Sequence, residues 1–574
     1  MALAILESFE RVITIMGYTT VGDFIKKFLT PLLLIVIAVF VIVQIIFPGV
    51  SIVYSIIILV IGLAIIFFYP ISVIERKKAN INNNMHLFIT YAGTISTMGV
   101  SRSVLWKRIA QKKVFGEISQ VAEKVLYLST RWNLGFARTC RMVGSKLASK
   151  ILADFLDRFA VMMDFGEDLQ IFLGEEQNSV LDDYSTEYKK SLETIKLLQD
   201  VFISLTMAVA FGIAIGLMLP LLMGVSINLV ILGSTFAIFF MDMVMLVIIK
   251  AVIPEDRLYH EIDVKDVGTI RMQRLLYILA PVSLTLFLLI YFLLGLPFLL
   301  SAAIGFTPLM LLGLIAKSEE NVIFRRDVAF PTFIRTLGSA TEIRGGAMMS
   351  SLSSLQIHDF GLLNSMAINL YRRLRIGSDK YIAWHYFAGE TGSNLIYHFS
   401  RIFAESVYLG GNAEKIGQII SNNFLRILSL RKLKFQIVSG LRGAFYGSLI
   451  GFCATSFVSA EIVTILADLF TSQTQAGSFD LANIVGSGAN ANLFVDLQQI
   501  GLYVGIMIII HAVVSAILLK VVDGGNYLSA FFDMGLMIWI GAVISLVVPR
   551  FVDYLLPDID NTINATELQN NPTF

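Results

Sequence analysis

Apolar residues in this chain gather into nine runs of the length that crosses a bilayer, about 20 residues with few charges. They cover 28–47, 50–71, 201–223, 227–249, 275–294, 296–315, 443–465, 500–519 and 528–548. The first is not read as a cleaved signal: it is too long, it follows Lys26 and Lys27, and no small-residue cleavage site comes after it. Two long polar stretches interrupt the runs, and their apolar positions keep a helical period. Ile151, Leu152, Phe155, Leu156, Phe159, Ala160 and Met163 form one stripe, and Leu395, Ile396, Phe399, Phe403 and Ala404 repeat it. Both stripes are expected to be core. No run of strand-like alternation is present. Near the start, Ile5, Leu6, Phe9, Val12, Ile13 and Met16 make an amphipathic helix, which fits the membrane surface or a neighbouring domain equally well.

The two polar stretches are related. Phe88-Ile89-Thr90-Tyr91-Ala92-Gly93 matches Phe333-Ile334-Arg335-Thr336-Leu337-Gly338, and Ser149, Phe155, Phe159, Ala160 and Gly166 match Ser393, Phe399, Phe403, Ala404 and Gly410. The offset changes from 245 to 244 between the two sets, which one deletion explains. Each unit is two spans, a polar domain of roughly 120 residues and two more spans. An even number of spans keeps both units in one orientation, so the repeat is parallel rather than inverted. The ninth span is extra, and an inserted loop precedes the eighth.

The expected fold class is therefore an all-α polytopic membrane protein with about nine transmembrane helices and two duplicated cytoplasmic helical-bundle domains. Its divisions are 1–27, an amphipathic N-terminus; 28–72, two spans; 73–199, the first bundle; 200–250, two spans; 251–274, a linker; 275–316, two spans; 317–436, the second bundle; 437–549, three spans with an external loop at 466–499; and 550–574, an external tail.

Charge decides the orientation. Only 15% of residues are charged and 56% are hydrophobic, which excludes a soluble domain and a disordered chain. Lys and Arg number 44 against 43 Asp and Glu. With the N-terminus in the cytoplasm, one cation, Arg550, falls outside and 43 fall inside or at inner span ends. The opposite topology strands both basic regions outside and is rejected. Within the first bundle the charge is polarised: residues 76–150 carry 14 cations and two acids, whereas 151–199 carry four cations and 11 acids. The second bundle includes the cluster Arg372, Arg373 and Arg375. Such surfaces dock an acidic partner or contact anionic lipid. The positive-inside rule accounts for some of the cation excess, but not for the switch to acid within one domain. The cysteines, Cys140 and Cys453, offer no external pair and hence no disulfide framework. Asn564 begins the one N-x-S/T tripeptide, which fits glycosylation of an external tail or a chance match.

Catalytic signatures are missing. There is no phosphate loop, and Gly345-Gly346 lacks the Lys that would follow, so it reads as a helix break. His358, Asp359, His385, Glu390 and His398 share one domain but match no standard metal spacing. No enzyme activity, cofactor or nucleic-acid partner is expected. Ionisable residues within spans are Asp242, Glu461, His511 and Asp533, with Arg442 at an inner end. Asp533 and His511 approach mid-depth, where a transporter would carry its path, and interhelical hydrogen bonding is the plainer reading. Small-residue spacing at Gly443, Gly447 and Gly451, at Gly212 and Gly216, and at Gly501 and Gly505 fits close helix packing within one chain or between two.

The duplicated helical domain set between membrane spans resembles the type II secretion system F-domain family, the inner-membrane platforms of type IV pilus-like machines. The stretch Leu173-Gly174-Glu175-Glu176-Gln177-Asn178-Ser179-Val180-Leu181-Asp182-Asp183-Tyr184, running on through Tyr188, looks like the archaellum branch of that family. The resemblance covers nearly the whole chain, and its signature is diffuse rather than catalytic. Bacterial members have about three spans, so this chain departs from them. The resemblance implies a homodimeric platform on which a hexameric cytoplasmic secretion ATPase docks, and which inserts pilin-like subunits into a filament and, in archaella, helps rotate it. By position, the docking role falls on Arg102, Lys107, Arg108, Lys112 and Lys113 and on Arg372, Arg373 and Arg375. The alternatives are the platform of an adhesive pilus or secretion system, and a transporter with two parallel repeats.

Overall fold

The computed structural model describes residues 52–223, 227–264, 266–475 and 500–555, with a few more between 21 and 33. The amphipathic N-terminal segment at 5–16, nearly all of the first apolar run at 28–47, the loop 466–499 beyond Gln475, and Asn564 lie outside the described residues. The first unit runs through α1 (Ile52–Ser96), α2 (Arg102–Ala110), α3 (Glu117–Arg131), α4 (Phe136–Gly144), α5 (Lys150–Phe165), α6 (Leu169–Met223) and α7 (Ile227–Val252). The second runs through α8 (Val267–Leu294), α9 (Phe298–Ile343), α10 (Met348–Leu355), α11 (Asn364–Arg375), α12 (Lys380–Thr391), α13 (Asn394–Tyr408), α14 (Ala413–Gln475) and α15 (Ile500–Asp523), and α16 (Ala530–Leu555) follows. Among the described residues there is no strand. Among the described residues seven helices are long and apolar enough to cross a membrane, and they contain the third to ninth apolar runs. The second run is helical from Ile52 onward.

Local chemistry sets the short elements. Ser149 caps α5 by accepting from the Leu152 N–H, and Ser393 caps α13 by accepting from the Ile396 N–H. Asp379 caps α12 by accepting from the Tyr381 and Ile382 N–H groups. The helix break expected at Gly345-Gly346 is there: α9 stops at Ile343, and both glycines take positive φ, +63° and +85°.

The long elements differ from the divisions expected above. α1, α6, α9 and α14 pass through 72/73, 199/200, 316/317 and 436/437 without a break. The side chains change there from polar to apolar while the backbone ladder continues. α6 and α14 are 55 and 63 residues long and carry a polar bundle and a membrane span on one rod.

Duplication extends to individual contacts. Phe88 meets Phe115 edge-on with ring centroids 6.4 Å apart, and their counterparts at offset 245, Phe333 and Phe360, meet edge-on at 5.3 Å. The Ser149 hydroxyl lies 2.5 Å from Asn82 Oδ1, and Ser393 bonds the counterpart of Asn82, Asp327. Buried positions of α3 (Ile118, Val121, Val125) match those of α11 and the residue that precedes it (Leu363, Met366, Leu370) at offset 245, and those of α4 (Thr139, Cys140, Val143) match α12 (Ala383, Trp384, Phe387) at 244. The deletion therefore falls at the turn between α3 and α4. Both predicted stripes are core, with Phe155, Phe159, Phe399 and Phe403 fully buried.

The halves meet through α6 and α14, which pack on each other along their length. Arg426 bonds Asp182 at 2.9 Å, and these two residues are 244 apart, hence equivalent. Phe202 and Phe445, one residue off strict equivalence, have centroids 4.6 Å apart. Equivalent residues touch only at a two-fold axis, so a pseudo-two-fold axis runs between these parallel helices. Where α9 crosses α14 in the second half, a Cβ on Gly338 would sit 2.5 Å from the Ala413 carbonyl oxygen, so glycine permits that close approach.

Candidate docking face and the charged junctions beneath it

α2 and its preceding turn lie at the far end of α1 from the apolar run. Ser96 is 25 residues past Ile71, about 38 Å at helical rise. On this end Lys107 and Lys113 are exposed, and Arg102, Arg108 and Lys112 are half-buried. Lys112 is engaged inside the molecule. Its ammonium lies 2.5 Å from Glu405, which also accepts from the Tyr91 hydroxyl at 2.9 Å. Ser406 bonds Thr94 beside them at 3.0 Å. Burial and the Glu405 carboxylate hold the Tyr91 phenol well above its ordinary pKa. These bonds tie α1 and the turn after α2 to α13 of the other half.

The arginine cluster on α11 is divided. Arg372 and Arg375 are exposed, while Arg373 pairs with Glu390 and stacks 5.2 Å from the Tyr386 ring. Between the halves lies a cleft of about 480 Å³ lined by Arg108, Lys112, Trp384, His385, Arg401 and Glu405. Arg401 and Glu405 escape a reading of the sequence because they stand almost 300 residues from the partners they face. Only the fold sets α13 of one unit against α1 of the other.

Below the bundles, charge is buried at two junctions. Arg431, 1% exposed, donates to Asp327 at 2.6 Å and to both Asp256 oxygens, and Lys434 lies 3.2 Å from Asp256. Burial alone would raise the Asp256 carboxyl, but Arg431 and Lys434 outweigh it and hold the group well below the carboxylate range. At the second junction, Lys520 bonds Glu320 at 2.8 Å, and Glu320 also accepts from the Asn526 N–H at 2.7 Å. Arg442 bridges Asp523 at 2.6 Å and Asp533 at 3.4 Å, and Tyr446 donates to Asp533 at 2.5 Å. This corrects the expectation for Asp533. It sits in the first turn of α16, at a span end among charged partners, and not at mid-depth.

Within the apolar region, Asp242 and His511 pair with each other. Asp242 is 0% exposed, and its oxygens lie 2.9 and 3.1 Å from His511 Nδ1, between α7 and α15. Lys250 and Lys520 end these two spans, 270 positions apart, so the pair, 269 apart, also lies at the pseudo-axis. Glu461 is half-buried on α14. The glycines separate into two groups. Gly451 faces Met207, Gly216 faces Val230 and Gly505 faces Phe298, each closely enough that a Cβ would press on the neighbour. Among the described residues, Gly212, Gly443, Gly447 and Gly501 have nothing within 4 Å of that position. Among the described residues no group of three His, Cys, Asp or Glu side chains gathers to hold a metal.

Together these features define an all-α, multi-pass membrane protein made of two tandem copies of one unit, each carrying a polar helical bundle on rods that continue into membrane spans. Flagella accessory protein J of Methanocaldococcus jannaschii is 30% identical over 544 residues, covering 93% of this chain and 96% of that protein. Flagella accessory protein J of Methanococcus voltae is 29% identical over 546 residues, with the same coverage. The chain belongs to the flagella accessory protein J family. No known family model matches the sequence, and no solved structure matches it significantly.

Proposed function

We propose that this chain is the membrane platform of the archaellum, with both bundles in the cytoplasm, and that it couples a secretion ATPase to filament assembly and rotation. It acts as a coupler and carries out no chemistry of its own. The observation that carries this reading is the continuity of α1, which joins the exposed basic end at α2 to an apolar run without a break, beside α6 and α14, which likewise run from the bundles into membrane spans. A load applied at Lys107, Arg108 and Lys113 is passed to the spans through packed helices and not through a flexible linker. The charge surplus of the inter-half cleft supports an acidic surface on the partner.

The test reverses Lys107, Arg108 and Lys113 to Glu together and leaves Lys112 to its bond with Glu405. ATPase retained on membranes should fall about tenfold or more, with the variant still accumulating in the membrane. Unchanged retention together with normal filaments would sink the docking claim. An adhesive-pilus platform would share this architecture, and the genes beside this one separate the two: archaellin genes or other pilin genes.

A further inference from the structure

The duplicated bundles differ at one place in a way that exposes a ligand site. In the second half, Arg373 on α11 pairs with Glu390 at the end of α12, Asn369 donates to Glu390 at 3.3 Å, and Tyr386 lies under the guanidinium. That cluster is self-contained: the carboxylate is supplied by the chain. The counterparts in the first half, by the offsets that hold for α3 and α4, are Leu128 for Arg373, Lys124 for Asn369, Met142 for Tyr386 and Lys146 for Glu390. All four line a groove of about 220 Å³, and Lys77 on α1 (where the second half has Val322) completes it. The rim carries three ammonium groups against one carboxylate, Glu117, while Ile81, Val121, Leu128, Met142 and Leu147 form an apolar floor. Where one half encloses its own anion, the other presents Lys124 and Lys146 at the edge of an opening.

Its position narrows the ligand. The apolar run of α1 continues through Val73 and Ile74 to the first charged residue, Glu75. Lys77 is three residues past Ile74, about 5 Å along the helix. That depth falls within the headgroup layer of a leaflet, about 5–8 Å thick. A ligand with a phosphate for the lysines and an apolar portion for the floor fits both chemistry and depth.

We propose that this groove binds the phosphate headgroup of an anionic membrane lipid, anchoring the first bundle to the bilayer surface on one side of the molecule. The second half has no such anchor. The site is separate from the docking face on α2, and its test does not depend on that reading.

The experiment uses the full chain, purified in detergent and incorporated into phosphatidylcholine vesicles with or without a minority of phosphatidylglycerol. Lipid carried through re-extraction is then counted by native mass spectrometry. One variant, Lys124→Asn with Leu128→Arg, Met142→Tyr and Lys146→Glu, gives the first half the cluster that already packs in the second. A second variant, Lys124→Ala with Lys146→Ala, only removes charge. The parent should retain phosphatidylglycerol over phosphatidylcholine. Removing two lysines at about fivefold each should weaken that retention about 25-fold, and the transplanted cluster should weaken it at least as much. Equal retention by the parent and the transplanted variant would overturn the site. Thermal stabilisation of the parent by soluble glycerol phosphate to the same extent as by phosphatidylglycerol would overturn the lipid as its source.

Discussion

The two bundles use the same device with different electrostatics. Each docks a Ser-capped helix onto the long helix that precedes it. In the first, Ser149 meets the amide of half-buried Asn82, and the site is neutral. In the second, Ser393 meets Asp327, which is fully buried, and the charge is answered by Arg431. Arg431 has a counterpart of opposite sign, Glu187, in the first half. Thus a duplicated scaffold kept its geometry while one copy acquired a buried ionic cluster that also clamps the 253–266 connection through Asp256. The difference teaches that the same joint, serine on the long helix, closes on a buried charge in the second bundle and on an amide in the first.

The strongest way to break this comparison is Arg431→Met. It leaves Asp327 buried without a cationic partner and Asp256 with Lys434 alone, and should cost about 3–5 kcal/mol. Thermal unfolding of the purified chain in detergent should register a clear drop. Acid should work on the same cluster. The Asp256 carboxyl is depressed in the folded protein, so its contribution is complete above about pH 4 and fades as the pH falls further. An Arg431→Met chain as stable as the parent would show the cluster to be dispensable.

The caps sharpen the comparison. Ser149→Ala and Ser393→Ala each remove one cap, worth about 0.5–2 kcal/mol. The second should lie at the upper end, because it also strips a donor from buried Asp327. Equal losses at the two sites would mean that the charge on Asp327 adds nothing to its bond with serine. The smallest effect is expected for Asp182→Asn at the pseudo-axis. Asp182 is 71% exposed, and its pair with Arg426 should contribute about 0.2–1 kcal/mol. A larger loss would move the bond between the halves from apolar packing to surface charge.

Much of this architecture was legible in the chain because it depends on local pattern. Run length gave the seven spans found among the described residues, the Phe155 and Phe399 stripes gave the cores, and the offset between Phe88 and Phe333 gave the pseudo-symmetry. Contacts between distant residues were not legible. The glycine spacing at Gly443 and Gly447 suggested close packing, yet a Cβ there would meet none of the described residues, while Gly338 and Gly417, set apart by 79 positions, meet closely. A glycine records that something approaches, and only the fold says what. Likewise Lys112 and Arg373 read as surface cations. Their partners, Glu405 and Glu390, are carboxylates that no count of charge could assign to them. Asp533 was misplaced for a related reason: an apolar run has no visible end when its first turn is neutralised by Arg442 from another helix.

The unbroken length of α6 has a mechanical consequence. At 55 residues it is a strut of about 82 Å, so a tilt of about 5° at one end carries the other sideways by about 7 Å. Its partner α14 is longer still, and the two are laced together at several heights. Such a pair resists independent bending. A push on either bundle is therefore felt by both sets of spans at once, with the pseudo-axis as the line about which the whole frame turns.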